Sequence, residues 1–149
     1  MKEKTNIGIE IMGHKWYVKN SKIKGKGEMN MEEMVKDPNC AYCMQGELVA
    51  KFGYPVCEMK TGFLYVFKEQ SKKGRVVLAH RKHVSELIDL TDEERNDFFA
   101  EVAQVARAVH KVFQPDKVNY GAYGDTGHHL HFHIVPKYKG GEEWGGTFE

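Results

Sequence analysis

Half of the eight histidines in this 149-residue sequence fall within six consecutive residues, His128 to His133. His129, His131 and His133 alternate with apolar residues, and successive side chains of a β-strand point to opposite faces of its sheet. The pattern therefore predicts a strand that carries three imidazoles on one face and packs its apolar residues on the other.

Neutral imidazole is a nucleophile that suits attack on phosphorus. Its unperturbed pKa of about 6.5 leaves it mostly neutral at physiological pH, so no separate base is required. The attack forms an N–P bond that water later breaks, which divides one hard displacement into two easier steps. Neighbouring imidazoles can donate hydrogen bonds to the phosphate oxygens. The cluster therefore indicates nucleophilic catalysis at a phosphate group.

Metal binding is the main alternative for the histidine cluster. At a rise of about 3.3 Å per residue, the Cα atoms of His129 and His133 lie roughly 13 Å apart on a strand. One tetrahedral ion with Zn–N bonds of about 2 Å cannot easily take all three imidazoles, so we expect the three histidines to have different roles. A partial metal site without catalysis and surface histidines without chemistry stay open.

Two of the three cysteines form the motif Cys40-x-x-Cys43. Two thiolates at about 2.3 Å hold zinc when two more ligands complete a tetrahedron. The alternatives are unoccupied thiols and a redox pair, although a thioredoxin-like pair expects a βαβ context that this sequence does not predict. This use of cysteine fits a reducing compartment better than a disulfide framework.

Short strands and one long helix must position these residues. Glycines divide the region from Glu47 to His80 into short β-like runs, and two further strands are predicted near the C-terminus, after a long helix. The predicted strands are Leu48 to Phe52, Pro55 to Met59, Phe63 to Phe67, Val76 to Ala79, Val118 to Tyr123 and His129 to Val135. A capping box of Thr91 and Glu94 precedes an amphipathic helix that ends before Pro115. The predicted fold class is α+β, an antiparallel sheet with one main amphipathic helix.

Length and composition indicate one folded domain. Residues 1–38 are predicted as a lysine-rich N-terminal arm with a short helical turn around Met31 to Lys36, and residues 39–149 as the domain. With 22 basic and 21 acidic residues, the net charge of +1 argues against a nucleic-acid partner. No segment reaches the roughly 18 apolar residues of a membrane span and no signal peptide is recognisable, so we expect a cytoplasmic protein without a membrane partner.

The run from His129 to Val135 matches a His-φ-His-φ-His-φ-φ signature, where φ is apolar, and thereby resembles the histidine-triad (HIT) superfamily. Gly74 to Val84 resembles the strand and turn that precede the signature in these proteins. Pro136 to Tyr138 resembles the continuation in bacterial members. The order of motifs fits from Cys40 to about Trp144. The resemblance implies a HIT-like fold in residues 39–149, with the sheet extended across a homodimer.

By this resemblance, His131 is the nucleophile on the α-phosphorus and His133 contacts the α-phosphate and the bridging oxygen. His129 completes the catalytic set as a brace for the strand. The implied nucleotide-binding residues are Asn119, Asp125, Thr126, His131 and His133. Asp125 departs from the family pattern, because a neutral amide is usual at its position. Whether His128 assists the leaving group stays open.

The resemblance also implies a structural zinc ion bound by Cys40, Cys43, His83 and His129, with no cofactor required for the chemistry. It implies hydrolysis or transfer of purine nucleoside phosphoramidates, adenylylated compounds or dinucleoside polyphosphates through a nucleotidyl-histidine. One alternative function is a non-catalytic nucleotide- or zinc-binding interaction module. Another is a zinc-dependent hydrolase with the metal at His131 and His133.

Overall fold

The computed structural model describes residues 7–11, 14–18 and 36–148. The chain divides into two compact units, residues 1–33 and 34–149. The first unit contains an antiparallel hairpin of β1 (Ile7–Ile11) and β2 (His14–Val18). The second unit carries all the residues to which the sequence assigns chemistry.

A five-stranded antiparallel sheet and three α-helices form the second unit. Along the chain they are α1 (Ala41–Met44), α2 (Gly46–Ala50), β3 (Gly53–Glu58), β4 (Gly62–Phe67), β5 (Val76–His80), α3 (Asp92–Phe113), β6 (Lys117–Gly121) and β7 (His131–Lys137), with a 3-10 turn at Leu87–Asp89 before α3. The strands are ordered β3-β4-β5-β7-β6 across the sheet. The predicted α+β class, an antiparallel sheet with one main helix, is confirmed. No helix of the described residues is long and apolar enough to cross a membrane.

The main helix, α3, begins at the predicted capping box. The Thr91 hydroxyl accepts a hydrogen bond from the Glu94 amide at 3.3 Å, and the Glu94 carboxylate accepts one from the Thr91 amide at 3.1 Å. Both bonds satisfy amide groups that the first helical turn leaves without a partner. The helix ends at Phe113, and the capping residue Gln114, which has a left-handed backbone, precedes Pro115. The cap therefore fixes where the helix starts, and the helix then crosses the sheet.

The strand register separates the sheet into an apolar face and a site face. Leu78 lies opposite Leu64 on β4 and Phe132 on β7, and the Phe132 ring contacts Phe98 of α3 at a centroid distance of 5.9 Å. On the other face, Val77 lies opposite His133. Because side chains alternate along each strand, the strands whose apolar residues pack under α3 also carry the histidines on their other face.

The site face is partly covered by α1 and α2. Val49 of α2 is buried together with Tyr65 and Ala79 of the sheet, and Ala41 and Tyr42 of α1 pack against this cluster. The two short helices therefore bring the cysteine motif to the face that carries the histidines.

One predicted strand is wrong, and several predicted strand ends are shifted; the strand predicted from Val118 to Tyr123, for example, spans Lys117–Gly121. The run Leu48 to Phe52 was expected to be a strand, but most of it belongs to α2 or its end, because a short apolar run has no period that separates a buried strand from a helix. The last strand begins at His131 and not at His129. His128 has a left-handed φ of 44°, so the chain still turns there and joins the ladder only afterwards.

The N-terminal predictions remain predictions. Apart from Lys36, the helical turn expected around Met31 to Lys36 lies outside the described residues. The division into an N-terminal arm (1–38) and a domain (39–149) also stays a prediction.

Candidate active site and metal centre

The four residues that the resemblance assigns to a metal lie together. The ligand atoms of Cys40, Cys43, His83 and His129 are all within 4.8 Å of one another. The Nδ1 atoms of His83 and His129 are 3.2 Å apart, and Cys43 Sγ lies 3.1 Å from His83 Nδ1. Tetrahedral zinc with N and S ligands requires ligand-to-ligand distances of roughly 3.3–3.8 Å. The donor set is one that zinc prefers, and small side-chain shifts would bring the four donors to these distances.

Backbone hydrogen bonds bring these four residues to one place. The Cys40 amide donates to the Asp37 carbonyl at 3.1 Å, and the Cys40 carbonyl accepts from Met44 as α1 begins. The Leu130 amide donates to the Val84 carbonyl at 2.7 Å, and its carbonyl accepts from the His80 amide at 2.9 Å. Leu130 thus fastens the segment that carries His83 to the segment that carries His129.

His129 is held with one ring nitrogen toward the sulfur atoms. Its Nε2 lies 2.8 Å from the His80 carbonyl oxygen, which can only accept, so Nε2 carries the proton. The Nδ1 lone pair then faces Cys40 Sγ at 3.3 Å and Cys43 Sγ at 3.5 Å. A carbonyl on the second nitrogen is the usual partner of a histidine that ligates a metal.

Burial keeps two members of this cluster, His129 and Cys43, in their uncharged forms. It lowers the pKa of His129 to about 4 and raises the pKa of the Cys43 thiol to about 11. Metal binding to these groups therefore requires a neutral imidazole, which is already present, and the release of thiol protons.

His131 has the opposite tautomer. Its Nδ1 lies 2.7 Å from the His129 carbonyl oxygen and must donate to it, so Nε2 keeps a free lone pair. Burial lowers the pKa of His131, which holds the ring in its neutral, nucleophilic form. The ring is half-buried and therefore accessible from the site face. The geometry supplies what a nitrogen nucleophile needs.

His133 is oriented by an arginine. Arg75 Nε donates to His133 Nδ1 at 3.2 Å. Burial and the Arg75 charge lower the pKa of His133 to about 3. The His133 and His131 rings meet edge to face, with centroids 5.0 Å apart.

Aromatic residues line the triad. The Tyr42 ring lies 5.0 Å from the His131 ring and 5.2 Å from the His129 ring, between centroids. Burial raises the pKa of Tyr42, so its phenol stays neutral. Sequence analysis assigned no role to Tyr42 or Arg75. The sequence signal that could have pointed to Tyr42 is its position inside the cysteine motif. For Arg75, the only such signal is its position directly before a predicted strand.

Of the predicted nucleotide-binding residues outside the triad, one lies on the site face and two lie in an exposed turn. Asn119 lies two residues before Gly121, which pairs with His133, so Asn119 is on the site face of β6. Asp125 and Thr126 lie in the exposed turn between β6 and β7. Among the described contacts, none joins Asp125 or Thr126 to the triad, and His128 is exposed as well.

Comparison with known proteins identifies the family. A family model described as the HIT domain matches residues 58–140, more than half of the chain. The chain belongs to the HIT domain family. This HIT domain is 25% identical to a solved member of the HIT family from Bacillus subtilis, with a TM-score of 0.60 over 74% of this chain and 82% of that one.

Two curated relatives were compared with this HIT domain. The Bacillus subtilis (strain 168) "Protein hit" is 27% identical over 118 residues, which cover 74% of this chain and 79% of the relative. The "Bis(5'-nucleosyl)-tetraphosphatase [asymmetrical]" of Schizosaccharomyces pombe is 35% identical over 71 residues, 44% of this chain and 39% of the relative. The chain thus spans less than half of that enzyme. At the level of the family, it is related to nucleotide hydrolases.

Proposed function

We propose that the chain is a nucleotide hydrolase or nucleotidyl transferase that forms a covalent nucleotidyl-histidine on His131. The observation that carries this proposal is the hydrogen bond from His131 Nδ1 to the His129 carbonyl, because it leaves the Nε2 lone pair free. The family relation to a tetraphosphatase supports a nucleotide substrate. Purine nucleoside phosphoramidates, adenylylated compounds and dinucleoside polyphosphates are the substrate classes we propose.

The reaction proceeds in two balanced displacements. The His131 Nε2 lone pair forms an N–P bond to the α-phosphorus while the bond from phosphorus to the leaving oxygen or nitrogen breaks. The leaving group takes that electron pair and a proton from solvent, and the attacking water or acceptor releases a proton to solvent in the second step. The His129 carbonyl keeps its hydrogen bond from the Nδ1–H of the resulting imidazolium and thereby stabilises its charge. Water or another acceptor then displaces His131 and restores the lone pair. His133 donates to a phosphate oxygen in both steps.

Asn119 is the proposed further contact to phosphate, because it shares the face of the triad. Asp125 and Thr126 remain proposed nucleotide contacts that the turn between β6 and β7 must bring in when ligand binds. The ligand we propose is a nucleotide and not a nucleic acid or a membrane, and the proposed compartment is the cytoplasm.

Structural zinc is the proposed occupant of the cluster of Cys40, Cys43, His83 and His129. When bound, it supplies a cross-link and compensates the thiolate charge. The orientation of His129 comes from the chain itself, because its Nε2 donates to the His80 carbonyl on the other side of the ring. Because His129 also supplies the carbonyl that holds His131, the cluster braces the nucleophile without touching the substrate.

A homodimer is the proposed assembly. Of the two edges of the described five-stranded sheet, β3 carries Pro55 and a register shift between Pro55 and Cys57. Both features oppose pairing with another strand. The other edge, β6, has neither feature. Beside it runs a groove toward α3. Its lining is half apolar, from Ala103, Ala106, Val118 and Tyr120, and half polar, from Arg107, His110, Asp116 and Lys117. We propose that two copies meet along β6.

The intermediate is tested by intact-mass measurement of protein mixed with an adenosine phosphoramidate or a dinucleoside polyphosphate and quenched early. Wild type is expected to gain one nucleotidyl mass, and His131→Ala none, with turnover lower by about four orders of magnitude or more. His14→Ala is the control, since His14 belongs to the hairpin of the first unit and not to the unit that carries the triad. An adduct in His131→Ala contradicts the mechanism. Tight binding with no turnover of either substrate favours the interaction module.

A further inference from the structure

Arg75 is a buried arginine that contacts the triad, only 7% exposed and hydrogen-bonded to His133. We propose that Arg75 is a positioning residue: by donating its Nε proton to His133 Nδ1, it fixes His133 in the tautomer that carries its proton on Nε2. This inference rests on the proposed function for its catalytic consequence, and its structural part can be tested without it.

The turn between β4 and β5 sets the backbone position of Arg75. The Gln70 side-chain amide donates to the carbonyls of Phe67 and Arg75, and its oxygen accepts from the Gly74 amide at 2.8 Å. Gly74 has a φ of 89°, and a Cβ there would lie 2.8 Å from the Phe113 ring. A residue other than glycine would therefore shift the turn from which Arg75 starts.

Two aromatic rings restrict the guanidinium. Its central carbon lies 4.4 Å from the centroid of Phe67 and 5.6 Å from that of Phe148. Phe148 is itself buried, and its carbonyl accepts a hydrogen bond from the Tyr123 hydroxyl at 3.3 Å. Such stacking on aromatic faces suits the planar guanidinium better than an ammonium group. Arg75 thus reaches His133 in a fixed orientation.

The chemistry of arginine determines the direction of this hydrogen bond. A guanidinium has five N–H donors, no acceptor, and does not lose its proton in proteins. His133 Nδ1 must therefore be the acceptor, and the proton of the neutral ring resides on Nε2. His131 has the reverse arrangement, with Nδ1 protonated and Nε2 free. One imidazole is thus prepared as a nucleophile and its neighbour as a donor to phosphate.

A matched pair of variants separates the donor from the space that Arg75 fills. Lysine and methionine have unbranched side chains of similar length, but only lysine can donate to His133. Nitrogen-15 NMR of the histidine rings should show His133 protonated on Nε2 in wild type and in Arg75→Lys. In Arg75→Met we expect a mixture of tautomers. Arg81→Met is the control. Arg81 directly follows β5, as Arg75 directly precedes it, and Arg81 also stacks on an aromatic ring, that of Phe63.

Turnover provides the second readout. In Arg75→Met we expect kcat to fall by about 10- to 100-fold, as for other residues that orient a functional histidine, with KM changed much less. Arg75→Lys should recover part of kcat, and Arg81→Met should match wild type. The ring signals of His129 and His131, measured in the same spectra, report whether each variant keeps the fold.

The outcomes are distinguishable from those of the proposed function. Protonation of His133 on Nδ1 in wild type overturns the inference without any variant. An unchanged tautomer and unchanged kcat in Arg75→Met overturn it as well, while the covalent mechanism stands. A chain that turns over no substrate contradicts the proposed function, and the tautomer in wild type and in Arg75→Met still decides the role of Arg75.

Discussion

In the proposed mechanism, the role of each histidine of the triad depends on the partner of its second ring nitrogen. The His80 carbonyl leaves Nδ1 of His129 for a metal, and the His129 carbonyl leaves Nε2 of His131 for phosphorus. Arg75 leaves a proton on Nε2 of His133. Three identical side chains, two residues apart, are therefore distinguished by hydrogen bonds from outside the motif.

The neutral state of His133 predicts a dependence of stability on pH. Burial, together with the Arg75 charge, lowers its pKa to about 3 in the folded chain, against about 6.5 when unfolded. Between these values the unfolded state binds a proton that the folded state does not. The free energy of unfolding therefore falls as the pH falls, by roughly 1.4 kcal/mol per pH unit from this group. Above the unfolded pKa this contribution is constant.

Urea unfolding of wild type and His133→Asn between about pH 7 and pH 4 measures that contribution. The difference in unfolding free energy between the two proteins should change with pH, because the variant lacks the titrating ring while both share all carboxylates. A constant difference over this range contradicts the lowered pKa.

Sequence analysis found the residues whose chemistry is carried by type and spacing. It found the cysteine pair, and it predicted the alternation that puts His131 and His133 on one face. The resemblance to the HIT superfamily added His83 and His129 as the other two metal candidates, and the structure brings all four together. Sequence analysis did not find Tyr42 or Arg75. Their contacts join distant parts of the chain, and no local pattern encodes such a contact.

At the scale of elements, α1 and α2 show why a short apolar run was misread. The sequence GELVAKF has the hydrophobicity of a strand, yet residues 46–50 form a helix. Val49 packs on Tyr65 and Ala79 and is 2% exposed. Tertiary burial decided the conformation here, whereas α3, with its capping box and long repeat, could be predicted from local signals alone.

The capping box of α3 can be weakened without touching the site. Thr91→Ala removes the acceptor of the Glu94 amide and should lower the free energy of unfolding by about 1 kcal/mol. Activity at saturating substrate should stay unchanged, because α3 packs on the face opposite the triad. Urea unfolding and a turnover assay check both parts. Thr147→Ala, at an exposed threonine, is the control. Equal stability of the two variants would contradict the role of the cap.

The four metal candidates come from three segments of the chain, so loss of the proposed metal should act through stability. Cys43→Ser is expected to lower zinc content from one ion per chain, measured by elemental analysis, and to lower the melting temperature. Cys57→Ser is the matched control, because Cys57 lies outside the cluster. When a chelator is added, we expect enzymatic activity to fall slowly, at the rate at which the protein unfolds. Immediate loss of activity, with the fold intact, would instead support a zinc-dependent hydrolase with metal at His131 and His133.

For the whole molecule, the two faces of the sheet separate folding from chemistry. The face under α3 buries apolar residues such as Leu78 and Phe132, and the reverse face carries His131 and His133 beside buried Tyr65 and Ala79. The α+β class follows from periodicity, which acts locally along the chain. The order β3-β4-β5-β7-β6 depends on which strands meet across the sheet, so the sequence alone did not specify which edge is left for a second copy.

The free edge leads to a prediction about assembly. Tyr120 on β6 and Tyr54 on β3 are similar residues, 49% and 50% exposed, on opposite edges of the sheet. If two copies meet along β6, Tyr120→Asp places like charges near each other in the interface, whereas Tyr54→Asp does not. Sedimentation equilibrium should give twice the mass of one chain for wild type and Tyr54→Asp. For Tyr120→Asp the dimer dissociation constant should rise by at least about tenfold, which corresponds to roughly 1.4 kcal/mol. A monomeric wild type, or the same effect in both variants, would contradict an interface at β6.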